Sequence, residues 1–356
     1  MSTKTNHTNK NNSGFTFIDL FAGIGGFRLA LEDSGGTCVF SSEWDKNSQA
    51  TYSKNFGEVP HGDITKIKEQ EIPLHDVLCA GFPCQAFSVS GKRLGFNDTR
   101  GTLFRDVARI AKHRQPKILF LENVKNLLKH NNGVTISVIE NTLKEIGYTP
   151  FMKVLKSSDY GLPQARERVY IIAFRNDLGI EDFTFPISIK KHKTIKDILE
   201  LEIAVDPSYY IKRKDMDIYG NEKNVVDPRR PLQIGKINKG GQGERIYSVY
   251  ASGITLSAYG GGAASKTGAY LVNGKVRKLT PRECARLQGF PEKFIIHPIR
   301  NIAHKQFGDS VSVPVLKAIL KNIIEVYPDL ISQENVTREK NIILPDRQLN
   351  FEILNA

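Results

Sequence analysis

The feature that most constrains the fold is an apolar run that enters a cluster of glycines and leaves as a helical pattern. Residues 15–19 read as a strand, residues 23–26 (GIGG) as a tight turn, and residues 27–31 (FRLAL) have helical spacing. Glycines in such a turn let the backbone approach a ligand, and free N–H groups at a helix start favour anionic ligand groups. The third glycine of the dinucleotide fingerprint is missing, because Arg28 occupies its position. The turn therefore predicts a nucleotide-type ligand and disfavours a nicotinamide oxidoreductase.

Alternating strand and helix patterns follow this turn. They predict strands at 37–41, 77–80, 118–121 and 169–174, and helices at 48–55, 102–113 and 134–146. Such alternation is typical of an α/β protein with a parallel, doubly wound sheet. It fades after about residue 188, and residues 205–275 are rich in Gly, Tyr, Lys and Arg. This change predicts a second, smaller, irregular and basic domain, after which helices return at 281–287 and 313–326.

Charge and terminal composition indicate the partner and the location. Lys and Arg number 50 against 38 Asp and Glu, and the formal net charge of +12 suits a polyanion such as nucleic acid or an anionic membrane face. Residues 1–14 read as a disordered tail and residues 331–356 as a polar extension; no segment reads as a signal peptide or a membrane span. We expect a cytoplasmic protein. Its four cysteines have no zinc-type spacing, so we expect neither a metal nor a disulfide framework.

Acidic and aromatic residues behind the glycine turn favour a nucleoside. Glu43 lies 20 residues beyond Gly23, at the end of the second predicted strand, where an acid can accept from ribose hydroxyls. Trp44, the only tryptophan, can stack on an adenine face. Asp63, which we place after a third strand region, offers an acceptor for an exocyclic amine. Each of these three residues, taken alone, could be an ordinary surface residue beside a tight turn. Their order along the chain behind the glycine turn favours a site for a nucleoside cofactor.

A cysteine follows the next predicted strand. Residues 77–80 end in Gly-Phe-Pro-Cys, so Cys84 lies just past a strand end, where ligand clefts form. A thiol placed there behind a proline is positioned as a nucleophile, whereas Cys38, Cys79 and Cys284 fit the alternative of a buried structural cysteine. The glycine-rich stretch after Cys84 carries Lys92 and Arg93. It is either a closing lid that clamps phosphates or a flexible solvated loop.

Two further segments carry charged groups at strand ends. Glu122 ends the apolar run 118–121, and a partly desolvated carboxyl there has a raised pKa and can donate a proton. Arg166 and Arg168 precede the strand at 169–174 and point the same way on an extended segment. One can hold a carbonyl oxygen and the other a loop or a thiolate. Each alone is equally compatible with an ordinary surface ion pair.

Taken together, these segments resemble the bacterial DNA (cytosine-5) methyltransferases. Eight motifs occur in the order of that family: DLFAGIGGFRLALE, EWDK, GDIT, GFPCQAFSVSGK, ENVKN, QARERVYIIAF, RKLTPRECARLQGFP and QFGDSVSVP. The likeness runs from about residue 15 to about residue 326. It implies a Rossmann-like, S-adenosylmethionine (SAM)-dependent methyltransferase sheet with a second, smaller, irregular DNA-recognition domain. The catalytic SAM-binding domain would comprise residues 15–190 and 300–330, and the target-recognition domain residues 191–299.

The resemblance also implies the chemistry. Cys84 would add to C6 of a cytosine flipped out of the duplex, which activates C5 for methylation. Glu122 would contact N3 and the exocyclic amine, Arg168 would hold the O2 carbonyl, and Arg166 would orient the cysteine region. The residues that would hold SAM are Phe21, Ile24, Gly25, Glu43, Trp44, Asp63, Ile64, Pro83, Leu103, Asp309 and Val311. The family usually has Asn where this chain has Asp309.

Recognition residues are carried over in the same way. The segments KGGQGERIYS and GITLSAYGGG resemble the recognition region of a member that methylates the inner cytosine of double-stranded GCGC. Arg245 would read guanine O6 and N7, Gln242 would fill the gap left by the flipped cytosine, and Ser90 would enter from the opposite side. Tyr247 would touch the DNA backbone, and Lys92 and Arg93 the phosphates. The alternative interpretation is that residues 240–243 form only a flexible loop with no role in recognition.

The resemblance implies a monomer of a restriction-modification system. A cognate restriction endonuclease would share the target site and need not bind the methyltransferase. Two alternatives remain besides the oxidoreductase: a related enzyme that methylates RNA, and a catalytically inactive DNA-binding protein. The long recognition region disfavours the first, and Cys84, Glu122 and Arg168 disfavour the second.

Overall fold

The computed structural model describes residues 14–83, 102–189 and 192–328. A six-stranded sheet forms its centre, with the order β2-β1-β3-β4-β6-β5. Its strands are β1 (Phe15–Leu20), β2 (Gly36–Ser42), β3 (Val77–Gly81), β4 (Ile118–Val124), β5 (Tyr148–Lys156) and β6 (Glu167–Arg175). The first four are mutually parallel, as predicted. The prediction of a wholly parallel sheet is wrong for the far edge, because β6 runs antiparallel to both β4 and β5.

Helices cover both faces of this sheet. They are α1 (Gly26–Glu32), α2 (Lys46–Phe56), α3 (Phe104–Arg114) and α4 (Val134–Glu145). Alternate strand residues point to opposite faces, so each strand contributes to two hydrophobic clusters. Phe17 of β1 joins the cluster that α1 covers, and the adjacent Ile18 joins the cluster that α3 and α4 cover. The α/β class predicted from the sequence is confirmed.

A second, five-stranded sheet occupies the region predicted to be irregular. Its strands are β7 (Met216–Ile218), β8 (Gln233–Ile237), β9 (Arg245–Ser248), β10 (Ala269–Val272) and β11 (Lys275–Lys278), in the order β11-β10-β9-β8-β7. None is longer than five residues, and the separate core of this sheet consists of six buried side chains. Strands this short give little alternation in the sequence, so the pattern did not reveal them.

The chain then returns to the large sheet. Helices α5 (Pro281–Gln288), α6 (Arg300–Asp309) and α7 (Val313–Val326) follow, and α7 packs against α1. A buried ion pair joins the small sheet to α5: Arg277 of β11 donates two hydrogen bonds, at 2.8 and 2.7 Å, to the carboxylate of Glu283. Because both partners are fully buried, loss of either one would leave an uncompensated charge.

Within the described ranges, no helix combines the length and apolarity that a membrane crossing requires. Nor, in the same part of the chain, do any three His, Cys, Asp or Glu side chains form a group that could hold a metal ion. Cys79 and Cys284 are buried free thiols and Cys38 is half-buried.

Candidate active site

A cavity of about 670 Å³ opens where the parallel strands of the large sheet end. Ligands of open α/β sheets bind at this edge, outside the carboxyl ends of the strands. The wall is built from the residues that follow β1, β2 and β3, from the end of β4, and from the end of α6. Most of the predicted cofactor and catalytic residues lie on it: Phe21, Ile24, Glu43, Trp44, Asp63, Ile64, Pro83, Leu103, Glu122, Arg166, Arg168, Asp309 and Val311.

Glu43 holds the glycine turn in shape. Its Oε2 atom accepts from the Gly23 N–H at 2.8 Å, and its Oε1 atom accepts from the Asp45 N–H at 2.8 Å. Burial raises the pKa of Glu43, and the hydrogen bonds from these backbone N–H groups oppose that rise. Gly23 has a φ of 55°, in the left-handed region that glycine adopts without strain. The acid predicted to bind a ribose therefore also fixes the turn beside it.

Gly25 does not line the cavity, so the structure does not place it where we predicted. It precedes α1 with a φ of 84°, and a Cβ atom at this position would lie 2.2 Å from the ring of Phe56 in α2. Because glycine has no side chain, the Phe56 ring of α2 can pack against the start of α1. Gly26 lies on the wall instead, where a Cβ atom would meet the Val311 side chain at 2.5 Å.

Trp44 and Asp63 form the outer end of the cavity. The Trp44 side chain is 75% exposed, which leaves its ring free to stack on a ligand. The Asp63 carboxylate accepts from the Thr65 hydroxyl at 2.8 Å, and this hydrogen bond lowers the pKa of Asp63. Our placement of Asp63 after a strand is wrong: it lies between α2 and β3, and only an isolated bridge between Ser42 and His61 precedes it.

Glu122 and Arg168 form an ion pair at the inner end. The Glu122 Oε1 atom lies 3.2 Å from the Arg168 Nε atom, and both side chains are largely buried. Burial raises the pKa of Glu122 and the charges of Arg168 and Arg166 oppose the rise, so the carboxyl retains its proton to a higher pH than an exposed one. The neighbouring Asn123 donates from Nδ2 to the Phe82 carbonyl at 2.7 Å. This contact, which we did not predict, fixes the backbone just before Cys84.

Arg166 is buried among backbone carbonyls. Its Nη2 donates to Ser310 O at 2.7 Å, and its Nη1 donates to Leu256 O and to Gly308 O, each at 3.3 Å. Burial lowers the pKa of Arg166 to about 10. Among the described residues, the guanidinium of Arg166 therefore fixes the backbone at the end of α6. The predicted contact with the cysteine region stays a prediction, because Cys84 lies outside the described residues.

An ion pair lines the wall opposite β4. Lys305 Nζ lies 3.0 Å from the Asp309 Oδ2 atom, one turn along α6, and Lys305 also lies 5.7 Å from the centre of the Tyr259 ring. All three residues line the cavity. Asp309 was predicted from the sequence but its partner Lys305 was not, because the sequence pattern did not predict α6.

The predicted DNA-binding residues are divided between two parts of the chain. Ser90, Lys92 and Arg93 lie outside the described residues. Gln242 and Arg245 are exposed beside β9, and Arg245 Nε donates a long hydrogen bond of 3.4 Å to Gly240 O. Tyr247 is buried, and its ring centroid lies 6.0 Å from that of Tyr270. Its predicted DNA contact stays a prediction, since here the ring packs inside the protein.

The fold and the cavity define a Rossmann-like α/β enzyme with a nucleotide-type site at its strand ends. The family model described as C-5 cytosine-specific DNA methylase matches residues 15–325. The chain belongs to this family and is a DNA (cytosine-5) methyltransferase. The family implies methylation that depends on SAM.

Individual relatives agree with this assignment. The type II methyltransferase M.HhaI of Haemophilus parahaemolyticus is 54% identical over 311 residues, covering 87% of this chain and 94% of that protein. M.HpaII of Haemophilus parainfluenzae is 43% identical over 87% of this chain and 89% of its own length. The structure of S. pombe Dnmt2 methyltransferase has a TM-score of 0.65 at 19% identity, covering 88% of this chain and 99% of that one. At such low identity the last comparison supports the fold alone.

Proposed function

We propose that the protein transfers a methyl group from SAM to C5 of the inner cytosine in double-stranded GCGC, as the modification enzyme of a restriction-modification system. One observation carries the proposal. A single cavity has a nucleoside-type lining at its outer end, with Glu43, Trp44 and Asp63, and a buried Glu122–Arg168 pair at its inner end. A methyltransferase needs both ends, because donor and acceptor must meet within one enclosed space.

The outer end fits SAM in size and in chemistry. The volume of the whole cavity lies in the range of cavities that hold a nucleotide-sized ligand. Glu43 and Asp63 provide carboxylate acceptors for ribose hydroxyls and for an exocyclic amine, and Trp44 provides a face for the adenine. Phe21, Pro83, Leu103 and Val311 would provide apolar contacts. SAM, when bound, supplies the methyl group.

The inner end fits an activated cytosine. The Cys84 thiolate adds to C6, which makes C5 enamine-like and able to accept the methyl group. The buried Glu122 carboxyl keeps a proton to share with N3, and Arg168 holds O2, so charge that develops on the ring is stabilised. A base then removes the C5 proton and the Cys84–C6 bond breaks. Because C5 is inaccessible in a duplex, the base must flip out first.

The recognition sheet supports a reader of duplex DNA. Gln242 and Arg245 are exposed beside β9, and an arginine can donate two hydrogen bonds to guanine O6 and N7. Double-stranded DNA is the proposed partner. The proposed state is a monomer, because one chain contains both the large sheet and the recognition sheet. A cognate endonuclease would share the site without binding. We assign residues 15–190 and 300–330 to catalysis and residues 191–299 to recognition.

The test uses a plasmid that carries this gene. We expect it to resist a nuclease that cuts unmethylated GCGC, and bisulfite sequencing to mark the inner cytosine. Complete cutting, together with bisulfite signal at another sequence, would overturn the specificity but not the reaction. Labelled SAM, offered with either duplex DNA or tRNA, separates the DNA enzyme from the RNA alternative.

A further inference from the structure

One step of the proposed reaction still lacks a residue. After methyl transfer, C5 of the cytosine carries both the methyl group and a proton, and a base must take that proton before the bond between sulfur and C6 can break. A carboxylate suits this step if it reaches the cavity with an oxygen that the protein does not already use. In the described part of the chain, five carboxyl groups line the cavity: Glu43, Asp45, Asp63, Glu122 and Asp309.

Four of these carboxyl groups are already engaged. Both oxygens of Glu43 accept from backbone N–H groups, and Asp45 caps α2 by accepting from a backbone N–H of its first turn. Asp63 accepts from the hydroxyl and the N–H of the second residue after it. Glu122 is paired with Arg168, and its raised pKa makes it a proton donor rather than an acceptor. None of the four is well suited to take a proton from carbon.

Asp309 differs from the other four groups. Its side chain is 51% exposed, and its Oδ2 atom lies 3.0 Å from Lys305 Nζ. Among the described residues, no hydrogen-bond donor contacts its other oxygen, Oδ1. A carboxylate with one anchored oxygen and one unoccupied oxygen can keep its position and still accept a proton.

The backbone on both sides of Asp309 is fixed at the inner end of the cavity. Arg166 donates to the carbonyls of its two neighbours, Gly308 at 3.3 Å and Ser310 at 2.7 Å. Burial lowers the pKa of Arg166 to about 10, and the nearby charges of Glu122 and Asp309 oppose that decrease. Both carboxyl groups therefore lie close to one guanidinium.

The end of β3 brings the same segment next to Glu122. A Cβ atom on Gly81, the last residue of β3, would lie 3.7 Å from the Val311 side chain and 3.9 Å from Glu122 Oε2. Val311 is only two residues beyond Asp309. A cytosine ring held by Glu122 would thus lie beside the segment that carries Asp309.

We propose that Asp309 is the catalytic base that removes the C5 proton. The proposal rests on the proposed function, because it needs the methylated cytosine adduct in the cavity. The C5–H bond breaks, and its proton goes to Asp309 Oδ1. The electron pair of that bond forms the C5–C6 double bond, the C6–S bond breaks, and the sulfur leaves as the Cys84 thiolate. This role is additional to the contact with SAM that the resemblance implies for Asp309.

The identity of the residue supports the proposal. The family usually has Asn at this position, and a neutral amide does not take a proton from carbon. Relatives with Asn therefore need another acceptor, such as water, whereas the Asp309 carboxylate of this chain can act directly. Lys305 is a positioning residue in this arrangement, because it anchors Oδ2.

The experiment follows two labels in a single turnover. The duplex that the wild-type protein methylates carries tritium on C5 of the target cytosine, and SAM carries radiocarbon in its methyl group. In the wild-type protein, we expect methyl transfer and tritium release at the same rate. In Asp309→Asn, methyl transfer should stay near the wild-type rate, and tritium release should lag behind it by about 10²-fold. Methylated DNA should then remain attached to the protein and appear as a slow band on a denaturing gel.

Three variants separate this role from cofactor binding and from positioning. Asp309→Glu restores a carboxylate and should shorten the lag, and Lys305→Gln, which removes the anchor, should show a smaller lag than Asp309→Asn. Asp63→Asn is the matched control at another cavity carboxylate: it should weaken SAM binding, but its tritium release should keep pace with methyl transfer.

Two results would overturn the inference while leaving the proposed function intact. The first is tritium release that keeps pace with methyl transfer in Asp309→Asn, without a covalent band, even if SAM binds more weakly. The second is an equal lag in Asp63→Asn. A wild-type protein that transfers no methyl group to cytosine would instead overturn the proposed function, and this inference with it.

Discussion

The cavity wall and the recognition loop, residues 239–245, are built in opposite ways. Glu43, Glu122 and Arg166 are each more than 90% buried and are held by backbone groups or by a neighbouring charge. Gln242 and Arg245 are exposed, and Arg245 is held only at the surface, by a 3.4 Å hydrogen bond to Gly240 O and by a side-chain contact with the Tyr247 hydroxyl. A group that stabilises developing charge must be fixed beforehand, whereas a group that reads bases must reach out of the protein. Substitutions should therefore damage the rate in the first region and the choice of sequence in the second.

The largest expected effect is at Cys84. Cys84→Ala should abolish methyl transfer and leave duplex affinity near the wild-type value, because phosphate contacts dominate affinity and Cys84 is the only candidate nucleophile. Both quantities are measured on one preparation, by transfer from labelled SAM and by a gel-shift titration. Methylation near the wild-type rate would show that another group is the nucleophile.

Glu122→Gln should lower the rate of methyl transfer by about 10²–10⁴-fold. Burial raises the pKa of Glu122, so in the wild-type protein the rate should fall as the pH rises through that pKa and the carboxyl loses its proton. Glu122→Gln cannot titrate there and should lack this alkaline limb. Glu167→Gln is the control, at an exposed carboxylate paired with Lys125. An alkaline limb that persists in Glu122→Gln would assign it to another group.

Arg245→Ala should reduce discrimination and leave the rate on bound GCGC largely intact. We expect a loss of about 1–3 kcal/mol in affinity for a GCGC duplex relative to an unrelated one, because a bidentate guanine contact disappears. Arg213→Ala is matched to it: Arg213 is also exposed in the small domain, but it pairs with Asp215. Equal losses on both duplexes in Arg245→Ala would make Arg245 a phosphate contact instead.

The smallest expected effect is on stability, at Asp19, which is buried within β1. Burial raises the pKa of Asp19 to about 8, so between pH 4 and pH 8 the folded protein holds a proton that the unfolded chain releases. The free energy of unfolding should therefore decrease as the pH rises through this interval. Asp19→Asn should flatten that dependence, measured by urea unfolding at several pH values. A slope that persists in Asp19→Asn would assign the pH dependence to another group.

Sequence patterns predicted the parts of the molecule in which one face is strongly apolar. The first four strands and helices α1 to α4 follow from clear periodicity, and two of the cavity-lining acids, Glu43 and Glu122, follow from their positions at strand ends. The pattern missed β5, a half-buried edge strand with Pro150 and two lysines, and α6, whose sequence RNIAHKQFGD has little apolar face. Strand β6 was predicted, but its antiparallel direction was not, because strand direction is a property of the connection and not of the strand itself.

Local sequence patterns were limited in the same way when they predicted the residues of the candidate site. Glu43 and Glu122 were identified because acids at strand ends have few structural uses. Gly25 lies against the Phe56 ring, and a glycine that approaches a ligand and one that approaches a ring look alike in sequence, so its part in binding SAM stays a prediction. The contacts of Arg166 with Gly308 and Ser310 join residues distant along the chain, and no local pattern carries them.

The packing of α7 on α1 has a consequence for biosynthesis. Strand β1 and helix α1 leave the ribosome early, but the helix that covers them is made only after the whole small sheet. Until then the part of α1 that packs against α7 has no partner, and contacts between such distant segments form slowly. The nascent chain should therefore depend on chaperones longer than a protein whose neighbouring helices are adjacent in sequence. A chain cut within the small sheet would yield two fragments, neither of which closes the catalytic lobe, and their reassociation would report on late folding.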